Sequence, residues 1–327
     1  MTQNLIRQFR VFLREILRGS AIIPEAKIYT ELTKRAEEKA EEEPVEEPEE
    51  PVEEEQQEDF VEDIFIANTH SYMLFFTNKG IVHWLKVFEV PDAGRNAMGK
   101  AIINLLNLAK EEKVTAFVPV REFNESDYLI MATKKGTIKK TGLSAYSNPR
   151  KGGIIAITLE ADDELISVKR TSGKDQIVLA SKNGNAVRFN ETDIRITGRS
   201  AKGVRGIRLR EDVVVGMVVA EESKFLLTVC EKGFGKRTAV VDYRLINRGG
   251  FGVINIQTTE RNGKVVAIAS VSDDDDLMFI SRNGIMIRVP AKDISVIGRN
   301  TQGARVMKLA ADDSVVAVAK VLKDSTN

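Results

Sequence analysis

Asn78-Lys79-Gly80, Lys134-Lys135-Gly136, Lys182-Asn183-Gly184, Glu231-Lys232-Gly233 and Arg282-Asn283-Gly284 are five copies of one short turn, each closing a hydrophobic run. Their glycines lie 56, 48, 49 and 51 residues apart. A second series of glycine loops, centred on Gly99, Gly153, Gly203, Gly252 and Gly303, is spaced by 54, 50, 49 and 51. Two interleaved series with one period indicate a radial or solenoidal array of small β units. Such an array excludes most enzyme architectures before any side-chain chemistry is considered.

The runs between the turns have strand character. Ile64–Ala67, Tyr72–Thr77, Tyr128–Thr133, Gln176–Ala180, Phe225–Val229 and Leu277–Ile280 are rich in Val, Ile, Leu and Phe and bounded by Gly, Asn, Asp and Ser. A second run follows each turn, as in Thr137–Thr141 and Asn185–Phe189. Asn-Gly and Lys-Gly supply the positive φ that a tight hairpin demands. Each period then provides about four strands, the content of one propeller-like blade. The expected class is all-β, an array of about five four-stranded blades over residues 60–323.

Residues 1–59 have a different composition. Residues 1–40 are predicted to be a helical segment, with an amphipathic helix over residues 4–18 in which Leu5, Phe9, Phe12, Leu13 and Ile16 would make an apolar face between Arg7, Arg10, Arg14 and Arg18. Its Arg-rich character is compatible with a docking helix, a membrane-surface helix or an organelle transit peptide. Residues 41–59 carry twelve acidic side chains in nineteen positions, interrupted by Pro44, Pro48 and Pro51. That composition predicts a disordered linker, either a spacer or a nucleic-acid mimic competing for a basic surface.

The formal net charge of the 327 residues is zero, and that zero conceals a split. Residues 1–59 hold 17 acidic and 8 basic side chains, and the remainder holds 31 and 40. A repeat module with an excess of nine positive charges suits an anionic partner. The single cysteine, Cys230, excludes a disulfide framework and fits a reducing cytoplasm. It ends the apolar run Phe225–Val229 and is expected to be a buried thiol.

Basic residues recur at fixed offsets from the glycines. Four residues after the hairpin glycine stand Trp84, Lys140, Arg188, Arg237 and Arg288. Four residues before the second glycine stand Arg95, Arg199, Arg248 and Arg299, with Arg150 one step nearer in the second unit. Lys100, Lys139, Lys151, Lys202, Arg205 and Lys236 lie beside them. Repeats copy their geometry, so these cations are expected to form one curved basic rim suited to phosphates. Aromatic residues are few and do not recur in the loops, which favours duplex over single-stranded nucleic acid. With no recognition helix, binding is expected to follow backbone and deformability.

Catalytic and metal constellations are not found. His70 and His83 lack any HExxH or CxxC context, Ser172-Gly173-Lys174 lacks the full phosphate-loop pattern, and Asp273–Asp276 lacks EF-hand spacing. No cofactor is expected, and no apolar run is long enough for a membrane helix.

Several strings resemble the C-terminal domain of the DNA gyrase A protein. They are Phe65-Ile66-Ala67-Asn68-Thr69-His70, Met131-Ala132-Thr133, Gly203-Val204-Arg205-Gly206-Ile207-Arg208-Leu209, Gly235-Lys236-Arg237-Thr238-Ala239-Val240 and Ile297-Gly298-Arg299-Asn300-Thr301-Gln302-Gly303. The resemblance implies a β-pinwheel whose blades exchange strands, which bends duplex DNA around a basic perimeter. It also implies work beside breakage–reunion and ATPase subunits of gyrase or topoisomerase IV. The family's nucleophilic tyrosine belongs to another domain, to which nothing before Phe60 is similar, so this chain alone is expected not to cleave DNA. The Gln-Arg-Arg-Gly-Gly-type box of the family is matched only in part, by Asn148-Pro149-Arg150-Lys151-Gly152-Gly153 and Asn247-Arg248-Gly249-Gly250. Five loops stand where the family has six. Three functions remain open: a stand-alone DNA-bending protein of the cytoplasmic nucleoid, an obligate topoisomerase component, and a propeller that binds acidic proteins.

Overall fold

The computed structural model describes residues 70–90 and 105–321. The expected N-terminal helix, the acidic linker, the run Ile64–Ala67, and Arg95 and Lys100 lie outside the described residues.

Among the described residues, nineteen strands in five sheets make up the array. The five hairpins are β1 (Tyr72–Thr77) with β2 (Ile81–Lys86), β4 (Tyr128–Thr133) with β5 (Thr137–Gly142), β8 (Gln176–Ser181) with β9 (Asn185–Asn190), β12 (Phe225–Cys230) with β13 (Phe234–Ala239), and β16 (Asp276–Ser281) with β17 (Met286–Pro290). Each is followed by a 3-10 turn and a seven-residue strand, with a glycine loop described between them in the last four repeats. Those long strands are β3 (Val114–Val120), β7 (Leu165–Thr171), β11 (Val214–Ala220), β15 (Val265–Val271) and β19 (Val315–Val321). They pair with the first strand of their own hairpin, each across a register shift one residue before the turn. A bulge at the same place in all five sheets adds the same local twist, as a radial array requires.

The fourth strand of each sheet comes from the next repeat. β6 (Ile154–Ile155) lies against β2, β10 (Val204–Arg205) against β5, β14 (Val253–Ile254) against β9, and β18 (Ala304–Arg305) against β13. Among the described residues the fifth sheet has three strands, in the order β17-β16-β19.

The core follows the same logic, because its larger apolar clusters are each shared by two consecutive sheets, while Met73, Phe75 and Leu85 form a cluster within the first sheet. Leu74, Phe76 and Val82 of the first meet Leu129, Met131 and Tyr146 of the second. Ile130 and Ile138 meet Leu179, Val187 and Phe189, and Leu227 and Val229 meet Leu277 and Phe279. Cys230 is buried, and burial, reinforced by Glu231, pushes its thiol up to about 12. It occupies the position held by Thr77, Thr133, Ser181 and Ser281 in the other hairpins. Here it serves as a small apolar side chain.

The two glycine series meet face to face. Gly184 has φ +89, and a Cβ there would lie 2.2 Å from Ile256 O of the next repeat. Gly252 has φ +77, and its Cβ would lie 2.2 Å from Ala186 O of the preceding repeat. Each glycine thus permits both a left-handed backbone and a backbone-to-backbone approach. Replacing either with alanine is expected to cost about 2 kcal/mol or more. Gly298, with nothing within 4 Å of a Cβ, serves as control. Denaturant midpoints of the three variants check this, with Gly298→Ala expected within about 0.5 kcal/mol of the parent.

Candidate nucleic-acid interface

Five of the cations expected on the rim are inside the array. Lys139, Lys140, Arg188, Lys236 and Arg237 are all buried. They lie on the second strand of each hairpin, which the next repeat's loop covers, so the recurring offset marks a contact between blades. Arg188 Nη1 donates to Val240 O at 2.9 Å and Tyr243 O at 3.0 Å, and the guanidinium also pairs with Glu222. Arg237 Nε donates to Ile294 O at 2.9 Å, and its guanidinium stacks on Phe225 at 4.8 Å. Lys140 pairs with buried Glu191 at 2.7 Å and sits over the Tyr128 ring at 4.5 Å. In the first repeat Trp84 Nε1 makes the equivalent bond to Tyr146 O at 2.9 Å. An indole and three cations are interchangeable here because the site asks only for an N–H donor aimed at the next repeat's turn.

Lys139 and Lys236 hold the arginine loops from beneath. Lys139 Nζ donates to Ala156 O at 2.7 Å and to Arg199 O. Lys236 Nζ donates to Gly298 O at 2.6 Å and Arg299 O at 2.7 Å. Burial, and then the nearby arginine, lowers the Lys139 amine to about 7 and that of Lys236 to about 8.

Seven expected residues do share the outer loops. Arg150, Lys151, Lys202 and Arg205 are exposed, and Arg199, Arg248 and Arg299 are half-buried. The half-buried arginines splice one loop to the next. Arg248 Nη1 donates to Arg205 O at 3.0 Å and its Nε to Asp193 O at 3.0 Å, while Arg299 Nη1 donates to Ile254 O at 3.1 Å. Backbone bonds repeat the splice: Thr158 N–H to Ala201 O at 3.2 Å, Arg208 N–H to Gly250 O at 2.8 Å, and Gln257 N–H to Thr301 O at 2.8 Å. The four loops therefore form one hydrogen-bonded belt along the outer strands β6, β10, β14 and β18. Arg288 is exposed but stands apart from the belt, on the edge of the fifth sheet.

The belt carries cations that the offsets did not single out. Arg208 and Arg210 flank exposed Phe251 at 5.3 and 4.2 Å, and with Arg299, Asn183 and Asn300 they line a groove of about 700 Å³. A smaller hollow of about 280 Å³ holds Lys135, Lys202 and Arg205. Arg305 occupies the same strand position as Arg205. Aligning the repeats two residues past the second glycine would have revealed Arg305, whereas the Phe251 groove has no periodic signal. Guanidinium groups with free donors, set in hollows between loops, suit phosphate oxygens. His83 is not among these groups, since its Nε2 lies 3.2 Å from Glu112 Oε1 in the interior.

Two substitutions and one titration probe this assignment. Arg188→Ala, which orphans the buried Tyr243 carbonyl and leaves Glu222 without its partner, is expected to cost about 3 kcal/mol, while Arg288→Ala stays within about 0.5 kcal/mol. The Lys139 amine binds its proton less tightly in the folded state than at its ordinary 10.5. From about pH 7 to 10.5 the unfolded chain holds the extra proton, so this group's contribution to stability rises with pH through that window. Below it both states are protonated and the full cost of desolvation remains. Unfolding free energies of the parent and Lys139→Met should therefore diverge in favour of the parent between pH 7 and 9. A constant difference would show that the amine stays charged on its two carbonyls.

Comparison with known proteins bears on these features. The family described as DNA gyrase C-terminal domain, beta-propeller, matches five times, at residues 71–121, 127–172, 175–221, 224–272 and 275–321. The gyrase A protein of Klebsiella oxytoca is 46% identical over 263 residues, covering 80% of this chain and 30% of that protein. Its counterpart in Clostridium acetobutylicum is 47% identical over 268 residues, covering 82% and 32%. The chain thus spans about a third of the length of these relatives. A solved gyrase A C-terminal domain superposes with a TM-score of 0.69 at 29% identity, covering 78% of this chain and 84% of that one. A topoisomerase IV C-terminal domain gives 0.71 at 26% identity, covering 77% and 80%. Among the described residues no helix is long and apolar enough to cross a membrane. By its five repeats and the blades they build, the chain belongs to the DNA gyrase C-terminal domain family, the propeller module of type II topoisomerases.

Proposed function

We propose that this chain binds duplex DNA along the outer belt and bends it, contributing to the work of a type II topoisomerase in the nucleoid. The observation that carries this reading is the hydrogen-bonded belt. It sets Arg150, Lys151, Lys202, Arg205, Arg208, Arg210 and Arg305 on successive loops of one curved edge. A rigid arc of cations with a module charge of +9 attracts a polyanion and imposes its own curvature on it. Exposed side chains such as Ile155 and Ile254 alternate with Arg205 and Arg305 along the edge, giving it apolar contact for the sugar backbone as well. Strand cleavage and ATP hydrolysis are assigned to other parts of the assembled enzyme, and this chain contributes no covalent step.

Salt titration of DNA affinity tests the reading. Each phosphate contact adds about 0.9 to the log–log slope, so Lys202→Glu with Arg205→Glu should lower the slope by about 1.8 and leave the unfolding midpoint unchanged. These exposed positions are preferable to Arg248 and Arg299, whose loss would also unpick the belt. An unaltered slope would sink the assignment. Bending with a defined hand is a separate outcome. Closed circular DNA relaxed by an added topoisomerase in the presence of the protein should show a shifted linking number after deproteinisation. An unshifted number would leave binding without chiral wrapping.

A further inference from the structure

The two hollows along the belt occupy equivalent places in the repeat, and the sequence fills them differently. Aligned on the hairpin turn and the second glycine, Lys135 corresponds to Asn183 and Lys202 to Phe251, while Thr158 and Glu160 correspond to Arg208 and Arg210. The smaller hollow, about 280 Å³, is lined by lysines, Arg205 and acids. The larger, about 700 Å³, is lined by an aromatic ring and three arginines. The residue before the second glycine is Met98, Gly152, Lys202 and Gln302 in the other repeats. The scaffold therefore calls for neither a ring nor an arginine pair, and this one place has been given both.

Three successive repeats build the larger groove. Asn183, Arg208 and Arg210 come from the third, Phe251 from the fourth, and Arg299 and Asn300 from the fifth. Arg210 stacks on the Phe251 ring at 4.2 Å and Arg208 lies at 5.3 Å, yet Phe251 is still 41% exposed. Among the described residues, neither guanidinium makes a hydrogen bond or an ion pair. The ring thus orients two guanidiniums whose donors are unused. Arg299 Nη1 is tied to Ile254 O at 3.1 Å, and Asn300 Oδ1 accepts from Gln257 at 2.8 Å, which fixes the far wall. The Asp212 carboxylate is engaged by the main chain, accepting from Asn183 N–H at 3.0 Å and Val213 N–H at 2.8 Å.

We propose that the Phe251 groove is a subsite for one nucleotide whose base is not paired in a duplex. The base stacks on Phe251 and the guanidinium plane beside it, and the phosphates meet Arg208 and Arg299. Each part of this ligand answers a feature of the groove. A planar base is what an exposed ring flanked by guanidiniums receives, and phosphate oxygens are what free guanidinium donors pair with. The volume is that of an ordinary small-molecule site. The same chemistry has two sources, an unpaired nucleotide within DNA lying on the belt and a free mononucleotide. The first rests on the duplex-binding reading above, and it adds to it. A bent duplex unstacks most readily where a protein takes up the displaced base, so a single aromatic subsite on a rim of cations favours DNA that is interrupted at that point.

The test uses the full chain and two otherwise identical fluorescent duplexes, one fully paired and one with a single unpaired deoxyadenosine at its centre. Anisotropy titrations are expected to favour the interrupted duplex by about tenfold. Phe251→Ala should bring the two affinities together, and Phe251→Trp should keep them apart. Lys202→Glu with Arg205→Glu should weaken both duplexes alike, because it removes phosphate contacts and not the stacking surface. A preference that survives Phe251→Ala overturns the proposal for DNA, since DNA flexibility alone would then explain it. Calorimetric titration with deoxyadenosine monophosphate, up to about 5 mM, reads the other source. Binding that is lost in Phe251→Ala, with both duplexes bound alike, assigns the groove to a free nucleotide. If neither titration depends on Phe251, the groove holds no nucleotide and the proposal falls, whatever the paired duplex does. If the paired duplex does not bind at all, the belt reading fails, and the mononucleotide titration alone decides the groove.

Discussion

Everything in this molecule depends on a backbone carbonyl that cannot find its partners within its own repeat. At each hairpin glycine the chain turns with positive φ, which aims the carbonyl outward past the end of its own ladder, and in the first four repeats two N–H groups of the following repeat close on it. A buried carbonyl left unpaired would cost much of the hydrogen-bond energy it now gains. No blade is therefore a self-sufficient unit, and stability is a sum of neighbour contacts, as in other repeat proteins. The larger apolar clusters obey the same rule, since they need side chains from two sheets.

The fold was legible because the requirement for glycine is absolute. Only glycine tolerates both the dihedral and the 2.2 Å approach at Gly184 and Gly252, so the period of the glycines is the period of the blades. The rim was less legible. A fixed offset establishes that side chains are equivalent, but not whether they face solvent. Lys140, Arg188 and Arg237 are equivalent and buried, while Lys202, on an outer loop, and Arg205, on the short outer strand beside it, are exposed. One clue to the difference was present in Trp84, which shares an offset with the buried cations: an indole among arginines marks a position selected for donating an N–H in an apolar setting. The groove around Phe251 left no trace in the spacing because it occurs once.

The same chemical group has two roles here. Inside, guanidinium and ammonium groups are tied to carbonyls of the neighbouring repeat. Outside, on the loops those groups anchor, side chains of the same types, such as Lys202 and Arg205, are exposed to solvent. Lys139 and Lys236 connect the two roles, since their amines grip the main chain of Arg199 and of Gly298 and Arg299. The positioning of the outer cations is thus inherited from buried ones, and the rim's curvature is set by the fold itself.

Because each of the first four sheets borrows its outer strand from the repeat ahead, the boundary between repeats in the sequence never coincides with a boundary between blades in space. Deleting or inserting one repeat by recombination exchanges one hairpin edge for another with the same glycine carbonyl and nearly the same latch, so the joint heals without new chemistry. Repeat number then behaves as a dial on arc length. The arc that the outer loops trace can lengthen or shorten by one blade at a time while every surviving contact keeps its form.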